Sequence, residues 1–267
     1  MKWYLAQMIS SRHLQDNLER VHWHLQQAAN EGCDAVQLPE MFATFGLAEN
    51  QSIARAETDF NGEIGAQLRD WARHFGLWLV AGTVPVQLPQ EDRPRARLHV
   101  LDAEGELKAS YDKIHLFDAS VSDSQRRYQE SNHYQPGDQV VTVSTPWGVW
   151  GLSVCYDLRF PELYRRLADA GAETLVAPSA FTWVTGQAHW QVLCRARAIE
   201  NGCYLLAANQ GGQHDEKRRT WGHSLMCDPW GEVTELQEGE GGLCVSTDPE
   251  RVREIRTQLP VHEHRRL

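Results

Sequence analysis

The sequence predicts a single α/β domain. Strand-like and helix-like patterns alternate along the 267 residues, and no linker rich in Pro, Gly or Ser divides them. The composition, 42% hydrophobic and 23% charged, is that of a globular protein. A chain of this length can form one large core or two small ones. The absence of a linker favours one domain over residues 1–267, although the patterns do not give the order of its strands.

The first half begins with a strand at residues 3–9. An amphipathic helix ended by Gly32 is expected next, because apolar residues recur at spacings of three and four at Leu14, Leu18, Val21 and Leu25. The same criteria predict strands at 34–40 and 77–86, a helix at 64–75 closed by Gly76, and a hairpin at 97–113. Residues 118–138 are polar and irregular, which predicts a long surface loop.

The second half repeats this alternation. Strands are expected at 147–155, 173–181 and 203–210. Helices are expected at about 161–170 and along the apolar face from Trp190 to Ile199, which Gly202 closes. Residues 223–233 and 242–249 indicate two strands that pair with each other.

Charge and cysteine content exclude several classes of function. The formal net charge is −10 and like charges do not cluster, which argues against a nucleic-acid partner. No segment approaches the roughly 18 apolar residues of a membrane span, and the apolar start is too short for a signal peptide. The six cysteines are scattered without a C-x-x-C pair. We therefore expect a reduced, cytoplasmic protein that does not bind membranes.

Cys155 stands where a predicted strand meets a predicted helix in the sequence SVCYDLRFPELYRRL. A strand–turn–helix elbow exposes a side chain and directs backbone N–H groups toward it. Such amides and nearby cations also favour thiolate over thiol. The alternative is that Cys155 only fills space in the core, as free cysteines often do.

Two further strand ends offer a base and a cation. Glu40 ends AVQLPE beside apolar residues, an environment that can raise the pKa of a carboxyl and suit it to general-base catalysis. Lys113 lies in YDKIHLFD among aromatic and aliphatic residues. Taken singly, Glu40 fits a surface position equally well, and Lys113 fits a side chain that extends to solvent.

The segments LPEMF, YDKIHLFD and VCYDLRFPE occur in this order, and together the sequence resembles the nitrilase superfamily of carbon–nitrogen hydrolases. The resemblance extends over nearly the whole chain and assigns a Glu-Lys-Cys triad to Glu40, Lys113 and Cys155. A further family glutamate matches Glu130. It implies a four-layer αββα sandwich and a homodimer or larger homo-oligomer, with a tail at about 250–267 near the subunit contact.

The resemblance also implies the chemistry. Glu40 takes the proton of Cys155, the thiolate attacks an amide carbonyl, and Lys113 with the backbone N–H of Tyr156 stabilises the oxyanion. Glu130 orients Lys113 or the leaving amine. Water then cleaves the thioester, and neither a metal nor an organic cofactor is required.

The block from residue 155 to 190 is most similar to the branch that contains deaminated-glutathione amidase and ω-amidase. The expected reaction is hydrolysis of a small α-keto acid amide, first of all deaminated glutathione to 2-oxoglutarate and Cys-Gly. The alternatives are ω-amidase action on α-ketoglutaramate, a carbamoylase, a nitrilase, and a catalytically silent binding protein. The intact triad argues against the last of these.

Arg159 is a candidate for binding a substrate carboxylate, because Arg can contact a carboxylate through two hydrogen bonds. A salt bridge to Asp157 or Glu162 explains the same residue equally well. Further candidates for substrate binding, placed by analogy, are Phe181, Thr182 and His189. The basic run at 217–219 is interpreted as solvated surface. The pairs His22/His24 and His262/His264 are interpreted as unrelated to metal binding.

Overall fold

The computed structural model describes residues 1–266, except for the side chains of Leu47, Ala48 and Asp59. Its strands are β1 Lys2–Gln7, β2 Ala35–Leu38, β3 Trp78–Val86, β4 Arg95–Leu101, β5 Leu107–Asp112, β6 Asp118–Ser120, β7 Arg127–Gln129, β8 Thr142–Thr145, β9 Gly148–Leu152, β10 Thr174–Val176, β11 Tyr204–Ala207, β12 Gly211–Gln213, β13 Arg219–Trp221, β14 Leu225–Cys227, β15 Val233–Glu235 and β16 Gly241–Ser246. Its helices are α1 Leu14–Asn30, α2 Leu47–Ala56, α3 Glu63–Phe75, α4 Pro161–Asp169, α5 Trp183–Asn201, α6 Pro249–Gln258 and α7 Val261–His264.

The long strands form two six-stranded sheets. The first has the order β16-β1-β2-β3-β4-β5 and the second the order β15-β14-β11-β10-β9-β8. In the first sheet β1, β2 and β3 run parallel, in the second β9, β10 and β11 do, and all other pairings in these two sheets are antiparallel. Parallel neighbours place their carboxyl ends at one edge, where ligand sites of open α/β sheets usually lie.

The two sheets pack face to face. Trp3 and Trp78 of the first sheet meet Trp150 of the second, with ring centroids 4.5 and 5.5 Å from Trp150. A second apolar cluster joins the other face of the first sheet to α1 and α3. Residues of α4 and α5 extend the core between the sheets to the outside of the second sheet. The predicted four-layer αββα sandwich is confirmed.

Most predicted elements are present with bounds that differ by a few residues. The two strands predicted to pair with each other do not do so: β14 lies in the second sheet, and β16 pairs with β1, with Lys2 opposite Ser246. Alternation of apolar residues identifies a strand but does not identify its partner. Helix α2 has no counterpart in the sequence analysis.

The expected surface loop at 118–138 is more ordered than its polarity suggests. It contains the hairpin β6–β7 and a 3₁₀ turn at Glu130–Asn132. Tyr134, just beyond this turn, is 6% exposed. The polar composition of this segment does not reveal that part of it enters the core.

The C-terminal helices fold back onto the end of α5. Arg256 donates hydrogen bonds to the carbonyls of Gly202 at 3.0 Å and Ala172 at 2.7 Å, and the ring Nε2 of His262 lies 3.0 Å from the carbonyl of Asn201. These groups satisfy carbonyls near a helix terminus. The predicted subunit contact of this tail stays a prediction, and Leu267 lies outside the described residues. Within residues 1–266 no helix combines the length and the hydropathy that a membrane crossing requires.

Candidate active site

Four chemically reactive or charged side chains meet where strands of both sheets end. Glu40 follows β2, Lys113 follows β5, Cys155 follows β9, and Glu130 begins the turn after β7. Glu40 is 5% exposed, Lys113 is 2% exposed and Cys155 is 8% exposed. The structure therefore brings together all four residues that the resemblance assigns to catalysis, and it contradicts the alternative interpretations of Glu40 and Lys113 as surface groups.

Backbone geometry directs Glu40 toward this cluster. Met41, the next residue, has a left-handed conformation with φ 57°, and its N–H donates a hydrogen bond to the Thr83 hydroxyl at 3.0 Å. A β-bulge in β3 between Ala81 and Val84 places Thr83 there. At Gly82 a Cβ atom would lie 2.0 Å from the carbonyl oxygen of Pro39, so only glycine allows β3 to approach the Glu40 turn this closely.

Lys113 forms the centre of the charge cluster. Its Nζ lies 2.7 Å from Glu40 Oε1 and 3.0 and 2.8 Å from the two oxygens of Glu130. Burial opposes the charge of Lys113, but Glu130 and Glu40 together hold its pKa well above its usual value. A permanently charged ammonium in a site sheltered from water is suited to stabilise a developing oxyanion.

Glu130 is held by the backbone as well as by Lys113. Its Oε2 accepts a hydrogen bond from the N–H of Phe117 at 2.6 Å. Burial raises the pKa of Glu130, Lys113 opposes the rise and Glu40 adds to it. Two carboxylates around one ammonium leave a net charge of −1 inside the protein, which is a costly arrangement that a functional site can explain.

Cys155 occupies the predicted elbow. Its φ is 48°, a left-handed conformation that is strained for a residue with a side chain, and it opens the 3₁₀ turn Cys155–Arg159. Its N–H donates to the carbonyl of Pro178 at 3.0 Å. Among the described residues, the N–H of Tyr156 meets no protein acceptor and is free to contact a ligand.

The thiol itself is not preset as a thiolate. Burial raises the pKa of Cys155 well above its usual value, and the adjacent Glu40 carboxylate raises it further, whereas Lys113 and the Ala180 N–H oppose the rise. Nearby cations and amides favour the thiolate, as the sequence predicts, but burial and the Glu40 carboxylate outweigh them. Since the resting group is a thiol, it needs a base, and Glu40 is the carboxylate beside it.

Asp157 links the segment of Lys113 to the turn of Cys155. This fully buried carboxylate accepts hydrogen bonds from the Tyr111 hydroxyl at 2.8 Å and the His115 N–H at 3.1 Å, and the His115 ring Nδ1 lies 2.7 Å away. Tyr111 and His115 are each two residues from Lys113. Sequence reasoning considered Asp157 only as a partner for Arg159, although its place two residues after the cysteine was a usable signal.

Arg159 does not form a salt bridge with Asp157 or Glu162, which was the alternative to binding a substrate carboxylate. Its guanidinium lies 5.6 Å from the ring centroids of both Tyr156 and Phe181, and 3.3 Å from His189 Nδ1. Within the described residues it has no carboxylate partner. The structure therefore groups three other candidate substrate-binding residues around Arg159, and one of them, Tyr156, directly follows Cys155.

Thr182 has a structural position in the same region. It is 6% exposed, it is the N-cap residue of α5 through its contact with Thr185, and it forms a β-bridge with Thr220 of β13.

The basic run at 217–219 is not simply solvated, because two of its side chains form ion pairs. Arg218 pairs with Asp215 at 2.7 Å, and Arg219 pairs with Glu238 at 2.6 Å.

The two histidines of the pair His22/His24 have different surroundings. His22 lies against Trp71 and Phe75, whereas His24 is buried and contacts the Tyr4 hydroxyl at 3.1 Å. In the described part of the chain, no three His, Cys, Asp or Glu side chains converge as metal ligands.

The fold and the Glu-Lys-Cys cluster together define a class of protein, and the family comparison identifies it. The family model "Carbon-nitrogen hydrolase" matches residues 5–257. The chain belongs to this family, the nitrilase superfamily, and it is a hydrolase of carbon–nitrogen bonds other than peptide bonds.

Individual proteins of this family are similar to the chain over almost its whole length. The chain is 40% identical over 265 residues to the deaminated glutathione amidase of Yersinia enterocolitica, covering 98% of this chain and 92% of the relative. The crystal structure of the C. elegans NitFhit protein superposes with a TM-score of 0.92 at 37% identity, covering 99% of this chain and 65% of that one. Saccharomyces cerevisiae Nit3, described as a member of branch 10 of the nitrilase superfamily, gives 0.90 at 30% identity and covers 100% and 97%.

Proposed function

We propose that this protein is an amidase that hydrolyses deaminated glutathione to 2-oxoglutarate and Cys-Gly. The observation that carries the proposal is the buried cluster in which Lys113 contacts both Glu40 and Glu130 beside the Cys155 thiol. This cluster supplies a base, a cation and a nucleophile in one place, which amide cleavage through a covalent intermediate requires. Relatives named deaminated glutathione amidase, at about 40% identity over almost the whole chain, support the substrate.

In the first half of the reaction the thiol becomes the nucleophile. Glu40 takes the proton of Cys155 as the sulfur attacks the amide carbon, so the unfavourable free thiolate does not accumulate. Lys113 Nζ and the Tyr156 N–H stabilise the negative charge that develops on the carbonyl oxygen. Glu40 then gives the proton to the amide nitrogen, and the C–N bond breaks. The amine leaves, and the acyl group stays on the enzyme as a thioester of Cys155.

In the second half water replaces the amine. Glu40 accepts a proton from water as the water oxygen attacks the thioester carbon, and the same oxyanion donors act again. The C–S bond breaks, the acid leaves, and the proton on Glu40 returns to the sulfur. Glu130 keeps Lys113 in place throughout, since both of its oxygens contact the ammonium.

Arg159 binds the carboxylate of the α-keto acid in this proposal. Its guanidinium is held by two aromatic faces and by the His189 ring rather than by an acidic residue, so its charge is available to an anionic ligand. The rings of Tyr156 and Phe181 place it near the nucleophile: Tyr156 follows Cys155 directly, and Phe181 follows Ala180, whose N–H contacts the thiol. Thr182 and His189 complete the proposed binding region.

One assay tests the proposal against its alternatives. The purified protein is given deaminated glutathione, α-ketoglutaramate, an N-carbamoyl amino acid and a simple nitrile, and both 2-oxoglutarate and ammonia are measured. Ammonia alone would miss the first reaction, because its leaving amine is Cys-Gly. We expect the highest kcat/KM with deaminated glutathione. A higher value with α-ketoglutaramate would identify an ω-amidase, and activity on nitriles or carbamoyl compounds alone would contradict both assignments.

We further propose a homo-oligomer in the cytoplasm. Helix α5 presents exposed apolar side chains along one side, with Val184 38% exposed, Val192 67% exposed and Ile199 40% exposed. Exposed large apolar side chains that share one face of a helix are a candidate subunit contact. All six cysteines are free, which agrees with a reducing compartment. Sedimentation equilibrium of wild type and Val192→Glu tests the contact, since a monomeric wild type would refute it.

A further inference from the structure

A small cavity lies directly behind the charge cluster. Its volume is about 10 Å³, and its walls are Met41, Ala43, Thr44, Asn50, Thr83, Pro85, Ala96 and Tyr134. A buried water needs roughly 10–15 Å³ and two to four polar partners. The cavity therefore has room for one water molecule.

The wall residues support the backbone of each charged residue. Met41 directly follows Glu40. The N–H of Tyr134 donates a hydrogen bond to the Glu130 carbonyl at 3.0 Å. The carbonyl of Ala96 accepts a hydrogen bond from the Lys113 N–H, also at 3.0 Å. A ligand in this cavity is thus in contact with the segments that carry all three charges.

Three buried polar groups around the cavity have unused hydrogen-bonding capacity. Asn50 is 4% exposed, and its Oδ1 has no partner among the described residues. The Tyr134 hydroxyl accepts from Asn50 Nδ2 at 2.7 Å, and the Thr83 hydroxyl accepts from the Met41 N–H. In the described structure, neither hydroxyl donates its own proton to a protein acceptor. Leaving such groups unpaired costs about 1–3 kcal/mol each.

We propose that one bound water joins Asn50, Thr83 and Tyr134 and fixes the Glu40 and Glu130 turns relative to each other. The water accepts hydrogen bonds from the Thr83 and Tyr134 hydroxyls and donates one to Asn50 Oδ1. Reversing the Asn50 amide would exchange its donor and acceptor but leave three partners. These three are positioning residues: in the described structure none of them forms a hydrogen bond with the Cys155 thiol, and they act by holding both carboxylates at contact distance from Lys113.

A crystal structure at about 1.5 Å resolution tests the site itself. We expect one ordered water within about 2.5–3.0 Å of the Thr83, Tyr134 and Asn50 oxygens. A cavity closed by rearranged side chains, or a water with fewer than two of these contacts, would overturn the proposal. This measurement does not depend on the substrate.

A double-mutant cycle tests the coupling and rests on the proposed function. Thr83→Val and Tyr134→Phe each remove one hydroxyl, and the two hydroxyls are joined only through the water. We expect each variant to lower kcat about tenfold with KM within twofold, since small misplacements of catalytic groups are costly. Thr83→Val also removes the acceptor of the Met41 N–H, a loss that does not involve the water. The double variant should therefore be no slower than Thr83→Val alone, because either change already breaks the bridge.

The outcomes separate the two proposals. Additive losses of about a hundredfold in the double variant, or a Thr83→Ser variant as slow as Thr83→Val, would overturn the water bridge. Failure of wild type to release 2-oxoglutarate from either keto-acid amide would instead overturn the proposed substrate class. The crystal structure would then decide on the water alone.

Discussion

Removal of the Lys113 ammonium should lower both the free energy of unfolding and kcat, and the two losses have different physical causes. The Lys113 side chain is 2% exposed, and its ammonium neutralises one of the two carboxylates that contact it. In Lys113→Met the net charge of the cluster changes from −1 to −2. Breaking a buried ion pair by removing one partner typically costs about 3–5 kcal/mol. That is a large part of the roughly 5–15 kcal/mol that stabilises a folded domain.

The catalytic loss has a separate origin. Loss of one oxyanion donor typically lowers kcat about 10²–10³-fold. Adding Glu130→Gln to Lys113→Met returns the net charge to −1, so part of the lost stability should return. Activity should not return, because no cation replaces Lys113. The matched control is Lys108→Met, since Lys108 is 43% exposed and lies 3.6 Å from Asp102. It should change the free energy of unfolding by less than about 1 kcal/mol.

The stability lost in Lys113→Met should be larger at high pH than at low pH. Burial raises the pKa of Glu130 above its usual 4.5, so the folded state binds its proton more tightly than the unfolded state. Such a group favours folding at low pH, and this contribution is lost as pH rises through the folded-state pKa. Lys113 lowers the pKa of Glu130, so its removal raises the folded-state pKa further and extends the pH range over which this contribution to stability is lost. Lys113→Met should therefore lose more stability relative to wild type at pH 8 than at pH 5.

Urea unfolding followed by tryptophan fluorescence at both pH values measures the stability, and release of 2-oxoglutarate measures kcat. A Lys113→Met variant that is as stable as wild type at pH 8 would refute the charge argument. A variant that keeps more than a tenth of wild-type kcat would refute the role of Lys113 in the reaction.

Three further predictions concern single residues. Cys155→Ser should abolish turnover. Although burial raises the pKa of Cys155, iodoacetamide should label it before the more exposed Cys244, because Glu40 accepts the proton as the sulfur attacks; loss of activity through Cys244 labelling alone would contradict the assignment. Arg159→Lys should raise KM for keto-acid amides at unchanged melting temperature, because Lys lacks the planar fork of Arg; a lower melting temperature with unchanged KM would indicate a structural role. Burial lowers the pKa of His24 from 6.5 to about 4, so wild type should lose stability as the pH falls through this interval. In His24→Gln the free energy of unfolding should fall less steeply with pH over the same interval, and equal slopes would refute the effect.

The reactive residues could be found from sequence because each combines an unusual residue type with a strand end. Glu40, Lys113 and Cys155 were each ambiguous alone, and the order of their three motifs removed the ambiguity. Spacing along the chain could not reveal that Lys113 contacts both carboxylates, because Glu40 and Glu130 are 90 positions apart. Contacts of this kind depend on how the sheets pack, which local patterns do not encode.

The supporting residues were missed for a related reason. Asn50 and Tyr134 lie in polar stretches, and nothing in those stretches distinguishes a buried amide or phenol from an exposed one. Likewise, the pairing of β16 with β1 joins residues more than 230 positions apart. The sequence did not decide the partner of Arg159, because Asp157 and Glu162 lie on either side of it and each could form a salt bridge. In the fold the Asp157 carboxylate instead contacts Tyr111 and His115.

The pairing of β16 with β1 also determines when the enzyme becomes complete during its synthesis. β1 leaves the ribosome well before its outer neighbour, residues 241–246, because more than 230 residues separate the two strands along the chain. Until then the sheet that carries Glu40 and Lys113 ends in an unpaired strand, which is open to association with other chains. At about 5–20 residues per second this exposure lasts on the order of 10–50 seconds. Nascent chains of this protein are therefore expected to depend on chaperones that shield the edge of β1, and C-terminal truncations before residue 241 should aggregate rather than yield a partly active enzyme.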